Sequence, residues 1–452
     1  LSNASDLKQH ARAIFEMALQ DVDAGRALRA ALQLAGSRLT VVADEFDLDA
    51  CAGVYAVAIG KAAGAMATTI DKVLGPRLTR GVISAPPLAA PLSARWQVFA
   101  GGHPLPNEAS LAAGRAAREL LCAANRLDAL VLFLISGGGS AMMEWPRDER
   151  VTLADLRATN QALVSCGATI AEINAVRGAL SAIKDGGLAA LAPAAAQVSL
   201  IVSDTNPQAA AQVASGPTYP RAQADDATQY VVAILERYQL RRQLPVTALR
   251  ARDETKAASD DHNARATGAL RRHHVLLDNE RAQAAAAAAA RARGFTVELY
   301  ADLIEAPVEV GCYELVARLL RLRRQAMAGR GVCLISGGEF VCPVRGDGTG
   351  GRNLEAALRC ALEFAPHADE CARAGWRVAA LHVGTDGVDG NSPAAGACAD
   401  ETTIVRARAL GLDAADFLAR SDAYNFFRPL GDTIETGPTG TNVRDLRILL
   451  AR

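Results

Sequence analysis

The sequence predicts an α/β protein: a doubly wound parallel sheet in its N-terminal part, followed by a smaller α/β domain. Three observations carry this. The apolar runs at residues 54–59, 130–135 and 198–202 are continuous, as strands buried on both faces require. Segments of helical spacing separate them. Several of the runs end abruptly on glycine or small polar residues, at the strand ends where open α/β sheets bind ligands.

In order along the chain, residues 1–35 show helical spacing of Ile14, Phe15, Met17, Ala18 and Leu28. Residues 54–59 form a strand that ends in Gly60-Lys61, and 62–74 a helix. A short strand is expected at 81–84 and a helix at 110–124, with Ser110 as its cap. The strand at 130–135 turns sharply at Ser136, Gly137, Gly138, Gly139 and Ser140. Residues 153–190 read as largely helical, and the strand at 198–202 ends in Ser203-Asp204. Residues 221–272 read as helices with a loop around 253–263. The pattern resumes with a strand at 275–277, an alanine-rich helix at 281–293, a strand at 296–300 and a long helix at 308–328. A strand at 332–335 then runs into Ser336-Gly337-Gly338-Glu339 and another at 377–383 into Gly384-Thr385-Asp386-Gly387, and a helix at 443–450 is expected last. The string Leu134-Ile135-Ser136-Gly137-Gly138 recurs as Leu334-Ile335-Ser336-Gly337-Gly338, again at a strand end.

A chain of 452 residues is too long for one core, and half of it is hydrophobic, so two or three packed domains are expected. A net charge of −1 argues against a nucleic-acid binder that works by a basic field. No apolar run approaches the roughly 18 residues of a membrane span, and no leader-like segment opens the chain; Ser2-Asn3-Ala4 reads as an expression remnant. Nine cysteines without metal-ligand spacing fit free thiols in a reducing cytoplasm. Only five of the 48 cationic residues are lysines: Lys8, Lys61, Lys72, Lys184 and Lys256. In such a background a lysine marks a place where arginine does not substitute, because its charge is compact.

Several motifs carry chemistry. The 136–140 turn can point backbone N–H groups at an anion, yet it is neither a Walker A loop nor a dinucleotide fingerprint. Lys61, at another strand end, can hold a carboxylate or neutralise a transferring phosphoryl group; a surface lysine is the plainer alternative. Asn174, Arg177, Ser181 and Lys184 fall at spacings of three and four, so one helix face would present them to a polyanion or simply to solvent. Arg352 and Asn353 follow Gly350-Gly351 at the start of a helix, where an arginine can grip phosphate or carboxylate. Asp386 and Asp389 in a glycine-rich turn are candidates for Mg²⁺ or for ordinary turn formation. Thr436-Gly437-Pro438-Thr439-Gly440-Thr441-Asn442 offers hydroxyls without a metal pattern. No G-x-S-x-G elbow surrounds Ser140, which disfavours a serine hydrolase.

These motifs, with Gly102-His103-Pro104-Leu105-Pro106 and Ala214-Ser215-Gly216-Pro217-Thr218, together resemble the glycerate 2-kinase family, and the later ones its C-terminal MOFRL domain. The resemblance implies a Rossmann-like domain over 6–272, an α/β MOFRL domain over 273–452, and an active site in the cleft between them. It implies an ATP-dependent, Mg²⁺-using kinase that phosphorylates the 2-hydroxyl of D-glycerate, with a small hydroxy acid and ATP as its partners. A homodimer is an open expectation. Lys61, Arg352 and Asp204 are then the catalytic candidates. Gly60, the 136–140 turn, Asn174, Arg177, Ser181, Lys184, Ser215, Gly216, Glu339, Asn353, Glu355, Thr385, Asp386, Thr439 and Asn442 are the binding candidates, and Asp386 and Asp389 the metal candidates. The chain departs from the family pattern at 205–209, at Gly178-Ala179, at Asp185 and at Phe340-Val341, which marks a divergent member. A kinase of another small sugar acid, a non-catalytic ligand-binding relative and a reductase are the alternatives.

Overall fold

A computed structural model of the chain describes residues 4–127, 129–219, 224–240, 269–300, 305–327 and 329–452. The chain forms two compact units, one of Ala24–Leu276 and one of Leu277–Arg452 joined by the first helix, Ala4–Asp21. The expected division at 272/273 therefore moves. The first helix leaves the N-terminal part because Leu7, Ala11, Ile14, Phe15 and Ala18 are buried against Ala286, Ala290 and the sheet residues Leu381 and Ile448 of the other unit. Each of the larger side chains contributes on the order of 1.5–3 kcal/mol by leaving water. The expected loop at 253–263, with Lys256, lies outside the described residues.

The unit Ala24–Leu276 starts with a three-stranded antiparallel meander, β1 (Leu32–Ala35), β2 (Arg38–Val41) and β3 (Asp44–Asp47), which the sequence reading did not contain. Its main sheet comprises β4 (Val54–Ile59), β5 (Leu78–Ala85), β6 (Trp96–Ala100), β7 (Leu130–Ser136), β8 (Ala196–Val202) and β9 (Arg271–Leu277) in the spatial order β6-β5-β4-β7-β8-β9. The pairings from β6 to β8 are all parallel. Numbered within the sheet, this is the order 3-2-1-4-5-6 of the Rossmann fold, which reverses direction between β4 and β7. Tyr55, Val57, Ile59, Val131, Phe133 and Ile135 face the helix Glu108–Leu127, burying against Ala117, Leu120 and Leu121. Their neighbours Ala56, Ala58, Leu132 and Leu134 are equally buried on the opposite face, which is why these runs show no alternation. Ser110 is not the cap of the helix Glu108–Leu127. Asn107 Oδ1 accepts the Ser110 N–H at 2.9 Å, and Ser110 Oγ accepts that of Asn107 at 3.1 Å.

The second unit carries β10 (Phe295–Leu299), β11 (Gly331–Gly338), β12 (Val378–Gly384), β13 (Gly396–Asp400), β14 (Thr433–Ile434) and β15 (Asp445–Ala451), in the order β10-β11-β15-β12-β13-β14. β10 and β11 are parallel and the remaining pairs antiparallel. The expected helix at 443–450 is instead the strand β15, in the middle of the sheet. Leu446, Ile448 and Leu450 pack on one face, Leu449 and Ala451 on the other. A run buried on both sides has no period, so pattern alone does not separate it from a buried helix.

One hydroxyl joins the two central strands of the first sheet. Ser136 Oγ, fully buried, donates to Ile59 O at 3.2 Å and accepts the Ala62 N–H at 3.0 Å. Removing it strands a buried donor, which costs roughly 1–3 kcal/mol. Ser136→Ala is expected to lower the unfolding free energy by about that amount in urea titrations, with little change in the slope.

Candidate active site

The reversal point of the first sheet is where the sequence candidates gather. Gly60 has φ +107°, and a Cβ there would meet Ser136 Oγ at 2.5 Å and Gly137 O at 2.7 Å. Lys61 N donates to Gly137 O at 2.9 Å, which locks the turn after β4 to the turn after β7. A Cβ on Gly137 would run into the Asp204 carboxylate. One on Gly138 would lie 3.3 Å from Lys61 Cγ and 3.1 Å from His103 Cδ2. The side chains of Lys61, Asp204 and His103 therefore all pass the 137–138 turn, with Lys61 and Asp204 half-buried and His103 exposed. The helix after the turn is only Gly139–Met142, so its dipole adds little. The groups at the turn that can attract an anion are its own N–H groups and Lys61. His103 appears in the sequence motif without an assigned role; its closeness to Gly138 depends on a chain reversal that no local pattern reports.

Beside this turn, Ser140 Oγ lies 2.8 Å from Ser215 Oγ, and Ser215 donates to Asn174 Oδ1 at 2.9 Å. Ala214, Ser215 and Gly216 all have positive φ, of 52°, 62° and 61°. For the first two this is a costly conformation, of the kind found where surroundings fix a functional turn.

The supposed anion stripe is not a stripe. Its helix ends at Leu180, so Ser181 and Lys184 lie beyond it. Ser181 Oγ and buried Lys184 Nζ both bond Glu144, and Arg177 Nε donates to Asn160 Oδ1 at 2.6 Å. Burial lowers the pKa of Lys184, with Glu144 opposing, and burial likewise lowers that of Arg177. Of the four, only Asn174 belongs to the 140–215 network. Glu144 was invisible to spacing because its partners are nearly 40 residues away.

In the second unit Arg352 opens the helix Arg352–Phe364. It grips Asp445 with two bonds, Nε to Oδ2 at 2.6 Å and Nη2 to Oδ1 at 2.9 Å, and reaches Glu339 Oε1 at 3.0 Å. Burial opposes its charge, but Asp445, Glu339 and Asp389 together outweigh that and raise its pKa. Asn353 Nδ2 bridges Asp389 (3.2 Å) and Asp445 (3.0 Å). Asp389 itself caps the helix, accepting the N–H groups of Asn353 (3.1 Å) and Leu354 (2.8 Å). Both oxygens of Asp389, a metal candidate in the sequence, are thus engaged at the helix start. Asp386 is half-buried and accepts the Val388 N–H at 3.3 Å in a local turn. Among the described residues no group of three or more His, Cys, Asp or Glu gathers as a metal site. Glu355 is spent on Arg345 (3.0 Å) and Arg359 (2.7 Å), away from Asp445.

Thr385 Oγ1 donates to Arg444 O at 2.7 Å and accepts from Val443 N at 2.9 Å, while Thr439 Oγ1 donates to Thr385 O at 2.6 Å. Asn442 Oδ1 accepts the Arg444 N–H at 3.2 Å. These contacts fold the 439–444 loop onto the end of β12. Buried Arg444 (φ +70°) points at Glu305 and Glu339, giving Glu339 a second arginine at 3.9 Å. Arg352 and Arg444 thus flank one part-exposed carboxylate, an arrangement that can exchange it for an anionic ligand. Asp445 and Arg444 were missed because the segment was read as a helix.

Comparison with known proteins agrees with this picture. Residues 10–252 match the family described as a domain of unknown function, DUF4147, and residues 332–445 the MOFRL family. The pairing of these two defines the class. The chain is 34% identical to human glycerate kinase over 514 residues, covering 100% of this chain and 94% of that protein. It is 32% identical to D-glycerate 2-kinase of Thermotoga maritima, covering 87% and 90%, and 36% identical to a putative hydroxypyruvate reductase of Agrobacterium vitis, covering 87% and 98%. The crystal structure of Thermotoga maritima glycerate kinase superposes with a TM-score of 0.79 at 29% identity, covering 99% of both chains. A Pyrococcus horikoshii protein does so at 0.76 and 28%, covering 98% of both. The chain belongs to the glycerate kinase family.

Two buried groups give the second unit opposing pH dependences. Burial raises Asp389 to about 7 from 3.8, against the N–H bonds of Leu354 and Asn353. The folded state then holds a proton that the unfolded state releases, so its contribution to stability falls as pH rises from about 4 to 7. Burial, helped by Arg447, lowers His382 to about 3 from 6.5, so its contribution falls as pH drops below 6.5. Between about 4 and 6.5 the two offset each other. In Asp389→Asn, stability should rise with pH across that window, by up to ~1 kcal/mol per pH unit. In His382→Gln the slope should take the opposite sign, both read from urea midpoints.

Proposed function

We propose that this protein is an ATP-dependent glycerate 2-kinase, transferring the γ-phosphoryl group of ATP to the 2-hydroxyl of D-glycerate to give 2-phosphoglycerate. The observation that carries this reading is the meeting of Lys61, Asp204 and His103 on the 137–138 turn, at the strand-order reversal of a 3-2-1-4-5-6 sheet. Full-length relatives named glycerate kinase support it. Phosphoryl transfer asks the protein mainly to position reactants and offset charge. Lys61 would neutralise the migrating phosphoryl group, and the turn's N–H groups would hold its neighbours. Arg352, already shaped for a carboxylate, is the second unit's own candidate for an acid group. His103 is placed to receive the hydroxyl proton.

Mg²⁺ would arrive with ATP and offset charge on the phosphates. Asp204 and Asp386 suit a cation that keeps most of its water and needs only one or two carboxylates; Asp389, spent on its helix cap, does not. All nine cysteines are free, five of them buried, which supports a reducing cytoplasmic setting. No helix among the described residues is long and apolar enough to cross a membrane.

A second reading is a different small hydroxy acid. It is favoured by the 205–209 segment, where Thr205 folds back on Ser203 (Oγ to Oγ1 3.1 Å) immediately beside Asp204. Coupled ADP release with D-glycerate, ATP and Mg²⁺ is expected to show turnover, reduced by about 10²-fold or more in Lys61→Ala. Absent turnover with folded protein sinks the glycerate assignment, and a panel of hydroxy acids decides the second reading. Oxidation of NADH with hydroxypyruvate would point to a reductase.

A further inference from the structure

The strands that bring Asp445 to Arg352 end, at their other extremity, in a different chemistry. There the start of β12, the end of β15 and the last turn of the helix Val308–Gln325 surround a cavity of about 580 Å³, lined by Arg323, Arg324, Trp376, Arg377 and Arg452, with Leu7 at one side. Arg377 and Arg452 are fixed as neighbours by a reciprocal pair of main-chain bonds, of 2.8 and 3.0 Å.

Two of the four guanidiniums are answered by carboxylates. Arg324 pairs with Glu370 through two bonds, of 2.9 and 2.8 Å, and Arg377 Nη1 lies 2.6 Å from Glu401. The other two are not. Arg452 donates to the carbonyl of Arg293 at 3.2 Å, lies 3.5 Å from His10 and sits 4.3 Å from the centre of the Phe295 ring, with no carboxylate side chain in ion-pair range among the described residues. Arg323 is only 8% exposed, its guanidinium sits 4.8 Å from the centre of the Trp376 ring, and its Nε has no hydrogen-bond partner. A buried donor left unmet costs roughly 1–3 kcal/mol, more when charged, so a cation held this way calls for an anion.

We propose that this cavity binds a phosphorylated small molecule. Arginine forks match phosphate oxygens bidentately, and two forks without a carboxylate partner, beside two that have one, suit a multiply charged anion better than a monocarboxylate. The volume falls within the range of small-molecule sites, and accommodates a sugar phosphate or a nucleotide. β15 carries its sequence from Asp445 at one end to Ala451 at the other, a separation of about 20 Å at strand rise. The cavity is therefore distinct from the surroundings of Arg352, and the proposal stands independently of the kinase reading.

The test is calorimetric titration of the full chain with inorganic pyrophosphate, followed in parallel by tryptophan emission. Saturable, salt-sensitive binding is expected, weakened at least ~10-fold in Arg323→Met and in Arg377→Gln and unchanged in Lys61→Ala. Trp376→Phe should remove most of the emission change while leaving the heat. Arg377→Gln, at a side chain 42% exposed, is a second variant beside the buried Arg323→Met, and circular dichroism of both checks that they fold. Absence of binding at millimolar pyrophosphate overturns the proposal. So does binding that Lys61→Ala abolishes and the arginine variants leave intact.

Discussion

The first unit depends on how closely β4 and β7 approach at their C-terminal ends. Parallel strands diverge in direction of winding at this point, so a crevice opens there; what occupies it is set by Ser136 and Gly60. The serine hydroxyl closes one donor and one acceptor between the strands, and the glycine removes the only side chain that would keep them apart. Everything useful follows from that contact. Lys61 leaves β4 in register with Gly137, and the turn beyond Ser136 is tight enough for Asp204 from β8 to pack on its backbone. A larger residue at 60 would separate the lysine from the turn that it is meant to serve.

The second unit solves a related problem with buried charge. Asp445 begins the central strand at 1% exposure, a costly place for a carboxylate. It is tolerated because Arg352 and Asn353 supply three hydrogen bonds. Asp389 receives three more and fixes the start of the same helix. The arginine is therefore held on a rigid helix end by two buried acids, with its remaining reach directed to Glu339. Preorganisation of this kind keeps the cost of ordering a long side chain out of the binding step.

Legibility in the sequence followed the range of the interaction. β4, β7 and the helix Ala63–Leu74 were readable to within a residue or two, because buried runs and a Gly-Lys boundary are local signals. The same signals located Lys61, the 136–140 turn and Arg352. What failed was non-local or ambiguous in period. β15 looks like a helix because both its faces are buried. β13, Gly396–Asp400, is built of small residues with no β-branched signature. Ser181 and Lys184 fit helical spacing, but the helix stops at Leu180 and Glu144 claims both. Asp389 was legible as a functional carboxylate in type, but not in use: only the fold shows that its oxygens meet a helix start.

Two of the departures from the family pattern, at Gly178 and at Asp185, touch each other. Gly178, where the family carries a bulkier residue, has the side chain of Asp185 packed over it; a Cβ at 178 would lie 3.3 Å from Asp185 Cβ. Asp185 is the residue that interrupts the family's Lys-Gly-Gly, and it adopts φ +51° to do so. Phe340 lies against the buried guanidinium of Arg447, 3.5 Å from the ring centre, in space that Gly311 leaves open. Burial, opposed by Asp445, lowers the Arg447 pKa to about 10, and the ring face offers that cation an alternative to water. Of the two places, only the first brings two departures into contact, Gly178 with Asp185. The 205–209 segment is different. Thr205 bonds back to Ser203, and the segment adjoins Asp204 directly.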